Sequence, residues 1–409
     1  MNRPRTTRLA PTLTRPIAHG FAHQLVRPLV RALGLTLLLS HAYAAPPIDG
    51  GVQGLQAEIH TSLSNLLGPA AAPLRIASPT YGGADELTQL LQAPMDGPAV
   101  MRIALLHSPV LQMALGAEGS NITDMQSPGF PARLRASDEA TRLALRAYKA
   151  WVNAVAAEQS ARLLREAKTT AETADELTRR MVRAGNASRL TQAQSQATLS
   201  DTAVALARGE QSAFAAREQL IRVLGLWGAQ TGFTLATALP ALPASPTDTA
   251  DLEARAIAAR SGLQAERLAW QRKQASTAPA TIDERWDALG DAAKVRAQAV
   301  QVRSEAREAA FNLRTQWDIT RHLQTEVLPL RQFIHEELTL RYNGMLTSVF
   351  DLMADSRTRT LSHLAAAEAL RDYWLAAADV QAALAGVSPE SSAPARTDAA
   401  TGTDSKAAH

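Results

Sequence analysis

The hydrophobic positions of this chain recur at helical spacing over stretches far longer than an ordinary globular helix. In Asp138–Ala184, which contains neither glycine nor proline, apolar residues such as Leu143, Ala147 and Trp151 follow this period. The short stretch "RAGNAS" separates this run from a second one that ends at "VLGLWG". Each run predicts a rod of roughly 60 Å. We therefore expect the two runs to form an antiparallel coiled-coil hairpin.

The same pattern returns in the second half of the chain. A helix is predicted over Asp251–Gln274, and a long periodic run follows over Asp291–Asn343, in which Pro329 is expected to kink or break the rod. Gly344 interrupts this pattern, and another run continues to Gly386. Matching positions, 160 residues apart, are Trp151 and Phe311, Ser188 and Ser348, and Leu224 and Leu384. The sequence therefore predicts a tandem repeat that lies in the pattern more than in residue identity.

Both interruptions are predicted to be tight turns at the tips of the hairpins. Gly185 and Gly344 lie where a helix ends, a place that often requires positive φ. Ser188 and Ser348 are placed to cap the helices that follow. Asp351 comes three residues after Ser348, which is the spacing of a capping box with aspartate in place of the usual glutamate.

Residues 1–44 have the features of a secretory signal. Six arginines and no acidic residue precede the apolar run "ALGLTLLLS", and "AYA" offers a cleavage pattern. The run is about half of the roughly 20 residues that a membrane span needs. Export is therefore favoured over an anchor, with a mature chain that begins near Ala45. Without this segment 36 basic residues remain against 39 acidic ones, a formal charge of −3, so nucleic-acid binding loses its main support.

Composition suggests the remaining boundaries. Residues 45–98 are rich in proline, glycine and alanine and are predicted to be mostly extended, with one short helix near "LQAEIHTSLSNLLG". Residues 99–228 and 251–386 are the two repeats, joined by a proline-rich linker at 229–250. Residues 387–409 are small and polar and are predicted to be a disordered tail.

The residue inventory argues against an enzyme. The chain has no cysteine, so disulfides and thiolate metal sites are excluded. It contains no nucleophile elbow, phosphate loop or clustered acid–base pair, so no catalytic residue and no cofactor is predicted.

The two tips, "RMVRAGNASRLTQAQSQ" and "LRYNGMLTSVFDLMADSR", together with "AWVNAVAAEQSARLL" and "VLPL", resemble those of the TolC-type outer-membrane efflux proteins. The chain looks most like a branch found near heavy-metal and copper resistance systems, and the resemblance covers about Val100–Gly386. It implies a homotrimer whose helices form a periplasmic α-barrel, topped by a membrane barrel to which each repeat gives two strands. It also implies a periplasmic adaptor and an inner-membrane pump as partners.

The chain departs from this family where the strands should lie. The corresponding segments, Glu118–Ser137 and Ser276–Gly290, are shorter than the roughly 25 residues that a strand pair and its loop require. Neither segment alternates apolar and polar residues, and Pro131 and Pro279 oppose strands. We therefore expect a mainly all-α fold of two tandem hairpins that lacks both β-hairpins, which argues against membrane contact and for a periplasmic location.

Two aspartates near the second tip are the candidate pore residues. The resemblance places Asp351 where relatives carry aspartates around a narrow periplasmic entrance, while Asp355 is offset from the family's second position. Three-fold symmetry would gather three Asp351 side chains into a cation-selective constriction. The alternative is that these carboxylates cap the helix and interact with its dipole. Both readings can hold together.

No metal site is predicted. His322, His335 and His363 lack the spacing of metal ligands and are expected on the solvated surface. Met345 and Met353 could meet Cu(I) as soft ligands, but packing in the core is favoured for both.

Three functions remain open. The first is the family role, a conduit in an export system that moves small molecules or metal ions out of a Gram-negative cell. The second is a soluble periplasmic coiled-coil interaction protein that no longer forms a pore, which the missing strands favour. The third, an adaptor-like protein, is disfavoured because adaptors normally carry one hairpin flanked by β-domains, whereas this chain has two.

Overall fold

The fold is built from eleven α-helices within the part of the chain that the structure describes. This structure is a computed structural model that describes residues 52–67, 74–76, 83–118, 130–276 and 281–389. The helices are α1 (Val52–Leu67), α2 (Ala84–Gln92), α3 (Gly97–His107), α4 (Pro109–Glu118), α5 (Phe130–Arg183), α6 (Arg189–Leu224), α7 (Leu252–Ala259), α8 (Ser261–Ser276), α9 (Ile282–His322), α10 (Leu328–Asn343) and α11 (Val349–Leu384). A 3₁₀ turn (Gly228–Gly232) follows α6, and a π-helical segment (Leu323–Val327) joins α9 to α10. The predicted signal segment and residues 390–409 of the predicted tail lie outside the described residues.

Helices α5 and α6 form the first long antiparallel hairpin. The 54 residues of α5 span about 80 Å, and α6 packs back along it. The two helices approach closely at Gly209, where a Cβ atom would come within 2.6 Å of Leu164 Cδ1. Exposed ion pairs, such as Arg165 Nε to Glu210 Oε1 at 2.9 Å, add little to the free energy of folding. The apolar stripes therefore hold this hairpin together.

The second hairpin has α11 as one arm and α9 with α10 as the other. Pro329 lies in the first turn of α10, where its missing N–H would otherwise break a helical hydrogen bond. The preceding π turn, in which Leu328 N–H donates to the Leu323 carbonyl, widens the helix at this point. The backbone angles of Leu323 and Leu328 remain in the right-handed helical region. The predicted break is thus a π-helical segment within one continuous arm.

The described residues within 45–98 are not mostly extended, contrary to the prediction. The predicted short helix is confirmed as α1, but α2 was not predicted, and α3 already begins at Gly97 behind an Asp96 N-cap. Leu55, Ile59 and Leu63 lie one turn apart along α1 and are fully buried. Helix α1 therefore belongs to the core, because its apolar side chains meet the first hairpin instead of solvent.

Helices α5 and α9 begin within the segments Glu118–Ser137 and Ser276–Gly290, where the family would have strands, so the connections before these helices are shorter than predicted. Helix α5 begins at Phe130, because Pro131 is tolerated in a first turn that needs no N–H donor. Helix α9 begins at Ile282, because Thr281 and Glu284 form a reciprocal capping box. No strand occurs in the described residues, and their one β-bridge joins Met95 to Leu235. The connections 119–129 and 277–280 are outside the described part of the chain.

Two helical stretches are each divided in two. Helices α3 and α4 meet at a bend of 44°, because the backbone of Ser108 between them is extended, with ψ 120°. The helix predicted over Asp251–Gln274 is broken at Arg260, with ψ 94°, into α7 and α8. Among the described helices no single one is long and apolar enough to cross a membrane, although α3 and α4 together reach that length and composition.

The buried side chains form two clusters. The first joins α1 and α3 to parts of α5 and α6 and to Ala378 and Ala382 of α11, and the second joins α7, α9 and other residues of α11. Lys149 on α5 and Asp379 on α11 form an ion pair at 2.5 Å, with each side chain 14% exposed. Val387 belongs to the first cluster, so the predicted disordered tail does not start at this residue. The predicted all-α class with two long hairpins is confirmed for the described residues.

Candidate functional site

The turn between α5 and α6 has the predicted geometry. Gly185 has φ +78°, and its N–H donates to the Val182 carbonyl, while Asn186 N–H donates to the Met181 carbonyl at 2.8 Å. These two bonds define a Schellman motif, which places the residue with positive φ directly after the helix. Ser188 then caps α6, because its Oγ accepts the Thr191 N–H at 3.0 Å.

The turn between α10 and α11 has the same hydrogen bonds, but not the predicted glycine. Met345 N–H donates to the Tyr342 carbonyl, and Leu346 N–H donates to the Arg341 carbonyl at 2.8 Å. Gly344 has φ −81°, and the left-handed residue is Met345, with φ +57°. The prediction that Gly344 supplies the positive φ is therefore wrong.

The register between the halves explains this difference. Met345 lies 160 positions after Gly185, as Ser348 does after Ser188, so the turn is conserved in geometry while its glycine is displaced by one residue. The 160-residue register was the signal that could have found Met345. Its side chain is 93% exposed, so the predicted core packing of Met345 is also wrong.

Asp351 stands exposed at the second tip as a helix-capping residue. Ser348 Oγ accepts the Phe350 N–H at 3.2 Å, and Asp351 Oδ2 accepts the Ser348 N–H at 3.1 Å. Asp351 Oδ2 also accepts the Thr347 hydroxyl at 2.9 Å. The predicted capping box is present. The carboxylate remains accessible to solvent, so it can offer its charge beyond the chain.

Asp355 lies in a different environment from Asp351. Its carboxylate is buried between α10 and α11, with Oδ2 at 2.9 Å from Nδ1 of His335, and the residue is 7% exposed. The structure therefore separates the two candidate pore residues, with one on the surface and one inside the hairpin. A buried carboxylate needs such a hydrogen-bonded partner. Four-residue spacing places both aspartates on one face of the helix. The spacing alone therefore could not show that Asp355 is buried while Asp351 is exposed.

The histidines and the second methionine complete the predicted site residues. His322 and His363 are exposed, as predicted, whereas His335 is half-buried against Asp355 and corrects the prediction of a solvated surface. Met353 is half-buried in the groove between α5, α6 and α11. None of these residues is brought next to Asp351 in the described contacts.

Exposed apolar side chains surround the second tip. Leu340, Leu346 and Met345 are each exposed by more than half, and Tyr342 lies beside them. The tip therefore presents the carboxylate of Asp351 within an apolar rim.

The fold is similar to that of solved outer-membrane channels. The CmeC outer membrane channel of Campylobacter jejuni matches with a TM-score of 0.54, 12% identity, and coverage of 75% of this chain and 86% of that chain. The match to the VceC outer membrane protein of Vibrio cholerae covers 82% of this chain and 91% of that chain, with 12% identity and a TM-score of 0.47. The match to the outer-membrane channel OprN covers 74% of this chain and 89% of that chain, with 15% identity and a TM-score of 0.48.

No protein-family model matches the sequence, and no curated protein sequence matches it. The match to CmeC establishes the fold. The likeness that the tip sequences predicted is therefore confirmed at the level of the fold.

Proposed function

We propose that the chain belongs to the TolC-type outer-membrane efflux family and serves as the periplasmic helical conduit of a tripartite export system. It would move small molecules or metal ions out of a Gram-negative cell, together with a periplasmic adaptor and an inner-membrane pump. The observation that carries this proposal is the fold shared with the CmeC channel. No catalytic step is involved, so the conduit acts through its shape and charge.

An unpartnered stripe on α9 supports assembly into a homotrimer. Ile282, Leu289, Val300 and Phe311 are exposed and lie seven or eleven residues apart, so they share one face of the helix. The residues of α9 that pack inside the chain, such as Val302, lie on the other side. Four exposed apolar side chains spread over about 40 Å of one helix face indicate a contact with another chain. A neighbouring copy in a closed ring would cover it.

The assembly can be tested with a matched pair of variants. Phe311 and Trp227 are equally exposed at 76%, but only Phe311 lies on the stripe. We expect Phe311→Gln to shift the chain from trimer to monomer in sedimentation velocity, and Trp227→Gln to leave the trimer unchanged. A monomeric native chain, or equal effects of the two variants, would contradict the trimer.

Asp351 is the proposed constriction residue. In a trimer three exposed carboxylates at equivalent tips would form a ring of negative charge that favours cations. Asp355 is not assigned to this ring, because its carboxylate pairs with His335 inside the hairpin. The capping role of Asp351 is compatible with the ring, since one carboxylate can accept hydrogen bonds and still carry its charge.

The ring can be separated from the cap by Asp351→Asn, which removes the charge and keeps an acceptor oxygen for Ser348 N–H. We expect it to change tolerance to cationic compounds in an efflux-channel deletion strain, without a matching loss of thermal stability. Asp355→Asn is the control outside the ring. Unchanged tolerance for Asp351→Asn in a strain that the native chain protects would contradict the assignment.

The second candidate function is a soluble periplasmic interaction protein that no longer forms a pore. The absence of strands from the described residues favours it, together with the helical start of α9 directly after 277–280. This alternative predicts an oligomer released from cells without detergent and poor complementation of a channel deletion. Insertion of strand hairpins after Ala117 and Ala275 should then improve complementation. Firm membrane integration with full export activity of the native chain would rule it out.

A further inference from the structure

The linker between the two hairpins is held by two tryptophans. Trp374 on α11 donates its indole N–H to the carbonyl of Pro240 at 3.0 Å, and Trp317 on α9 donates its indole N–H to the carbonyl of Pro243 at 3.0 Å. The two acceptors are three residues apart. That interval is one turn of a polyproline II helix, about 9 Å along its axis.

The linker sequence suits this conformation. Pro240, Pro243 and Pro246 recur at every third position, and each fixes φ near the polyproline II value. Residues 239–243 have neither helical nor strand structure. A polyproline II segment makes no internal hydrogen bonds, so its carbonyls are available to side-chain donors.

The leucines that precede the first two prolines anchor the segment at both hairpins. Leu239 is buried in the first core cluster, and Leu242, one turn later, packs against the second. Residues three apart share one face of a polyproline II helix. One side of the linker therefore contacts both cores while its carbonyls meet the tryptophans.

The tryptophan rings are held in place by their own helices. Trp317 is buried, with the guanidinium groups of Arg314 and Arg321 at 5.3 and 5.1 Å from its ring centre. The ring of Tyr373 meets that of Trp374 edge-on at 5.2 Å. The two indole donors are thus positioned by contacts within α9 and α11, and Tyr373 in addition hydrogen-bonds to Thr247 of the linker.

We propose that Trp317 and Trp374 form a binding groove for polyproline II segments, and that residues 239–246 are its built-in ligand. The ligand class is a peptide with proline at every third position and leucine before the first two prolines. Aromatic grooves recognise proline-rich peptides in this way, because the ligand is already extended and loses little entropy. The inference does not depend on the conduit function, since it concerns how the chain ties α9 and α11 to the linker.

The groove can be tested by supplying its ligand in trans. A strap variant, in which Pro240, Pro243 and Pro246 are replaced by alanine, should leave the groove open. A fluorescein-labelled peptide of residues 237–248 should then bind it saturably in an anisotropy titration. The native chain should bind the peptide at least tenfold more weakly, because its tethered linker competes at an effective concentration of about 1 mM.

Matched variants show whether the tryptophans are responsible. In the strap variant, Trp317→Phe with Trp374→Phe keeps aromatic rings but removes both donors, and should weaken binding at least tenfold. Trp286→Phe, at an exposed position of α9, should leave it unchanged. A control peptide with alanine in place of each proline should not bind.

The proposal is overturned if the strap variant shows native helical circular dichroism and no saturable binding up to about 1 mM peptide. An affinity for the peptide that the two tryptophan substitutions leave unchanged also overturns the proposal. If the strap variant does not fold, a site-specific protease sequence inserted between the exposed Ala244 and Ser245 allows the folded native chain to be cut. The cut chain should then bind the peptide, and absence of binding to the cut chain also overturns the proposal.

Discussion

Met345 occupies a left-handed backbone position that is normally filled by glycine. Its φ of +57° costs a residue with a Cβ atom about 1–2 kcal/mol. Its side chain is 93% exposed, so replacement by glycine removes no packing. Glycine also gives the unfolded chain more conformational entropy, which lowers the free energy of unfolding by about 0.4–1 kcal/mol. Met345→Gly should therefore raise the free energy of unfolding by about 0.5–1 kcal/mol.

Two neighbouring variants make this prediction specific. Gly344 has φ −81°, and an added Cβ would lie 3.5 Å from the nearest carbonyl oxygens, so Gly344→Ala should be neutral or stabilising by up to about 1 kcal/mol. Gly185 has φ +78° with nothing within 4 Å of an added Cβ. Gly185→Ala should therefore cost about 1 kcal/mol, and that cost comes from the backbone alone.

Urea denaturation at constant slope measures these differences, and hydrogen exchange locates them. The Leu346 amide, which donates to the Arg341 carbonyl, should exchange about 2–5 times more slowly in Met345→Gly, from the conversion of 1.4 kcal/mol to a factor of ten. The reasoning is refuted if Met345→Gly is destabilising, or if Gly344→Ala costs as much as Gly185→Ala. The first result would mean that Met345 is not strained, and the second that Gly344 supplies the positive φ.

Three further variants test the contacts between elements. Trp151→Phe removes the indole N–H that donates to the buried Met95 carbonyl at 2.9 Å, and should cost about 2 kcal/mol in urea denaturation. Lys149→Met should cost about 3 kcal/mol by removing the ion-pair partner of Asp379, and the double variant with Asp379→Leu should recover most of that loss in a double-mutant cycle. Burial raises the pKa of the Asp138 carboxyl above its usual 3.8, so its contribution to folding is present at low pH and lost as pH rises through the raised value. Asp138→Asn should therefore be more stable than the native chain at neutral pH, with the difference disappearing toward pH 3.8; a constant difference would contradict this.

The sequence by itself determined the long hairpins and most of their turns. The helical period is local, so the apolar spacing in α5 and α11 was sufficient to predict both rods. Helix capping is equally local, since Ser188 and Ser348 need only backbone groups two or three residues away. The same kind of local signal at Thr281 and Glu284 indicates the start of α9, although the helical prediction began only at Asp291.

Only the tertiary structure decided which side chains face inward. The repeat fixed the register of the second turn, but the backbone trace was needed to show that Met345, and not Gly344, is left-handed. Asp351 and Asp355 have the same chemistry and lie one turn apart, yet the packing of α10 against α11 buries one beside His335 and leaves the other exposed. The linker carried a visible proline period, but its tryptophan donors lie more than 70 residues away in the chain. Contacts at such separations depend on how the helices pack, and no local pattern contains that information.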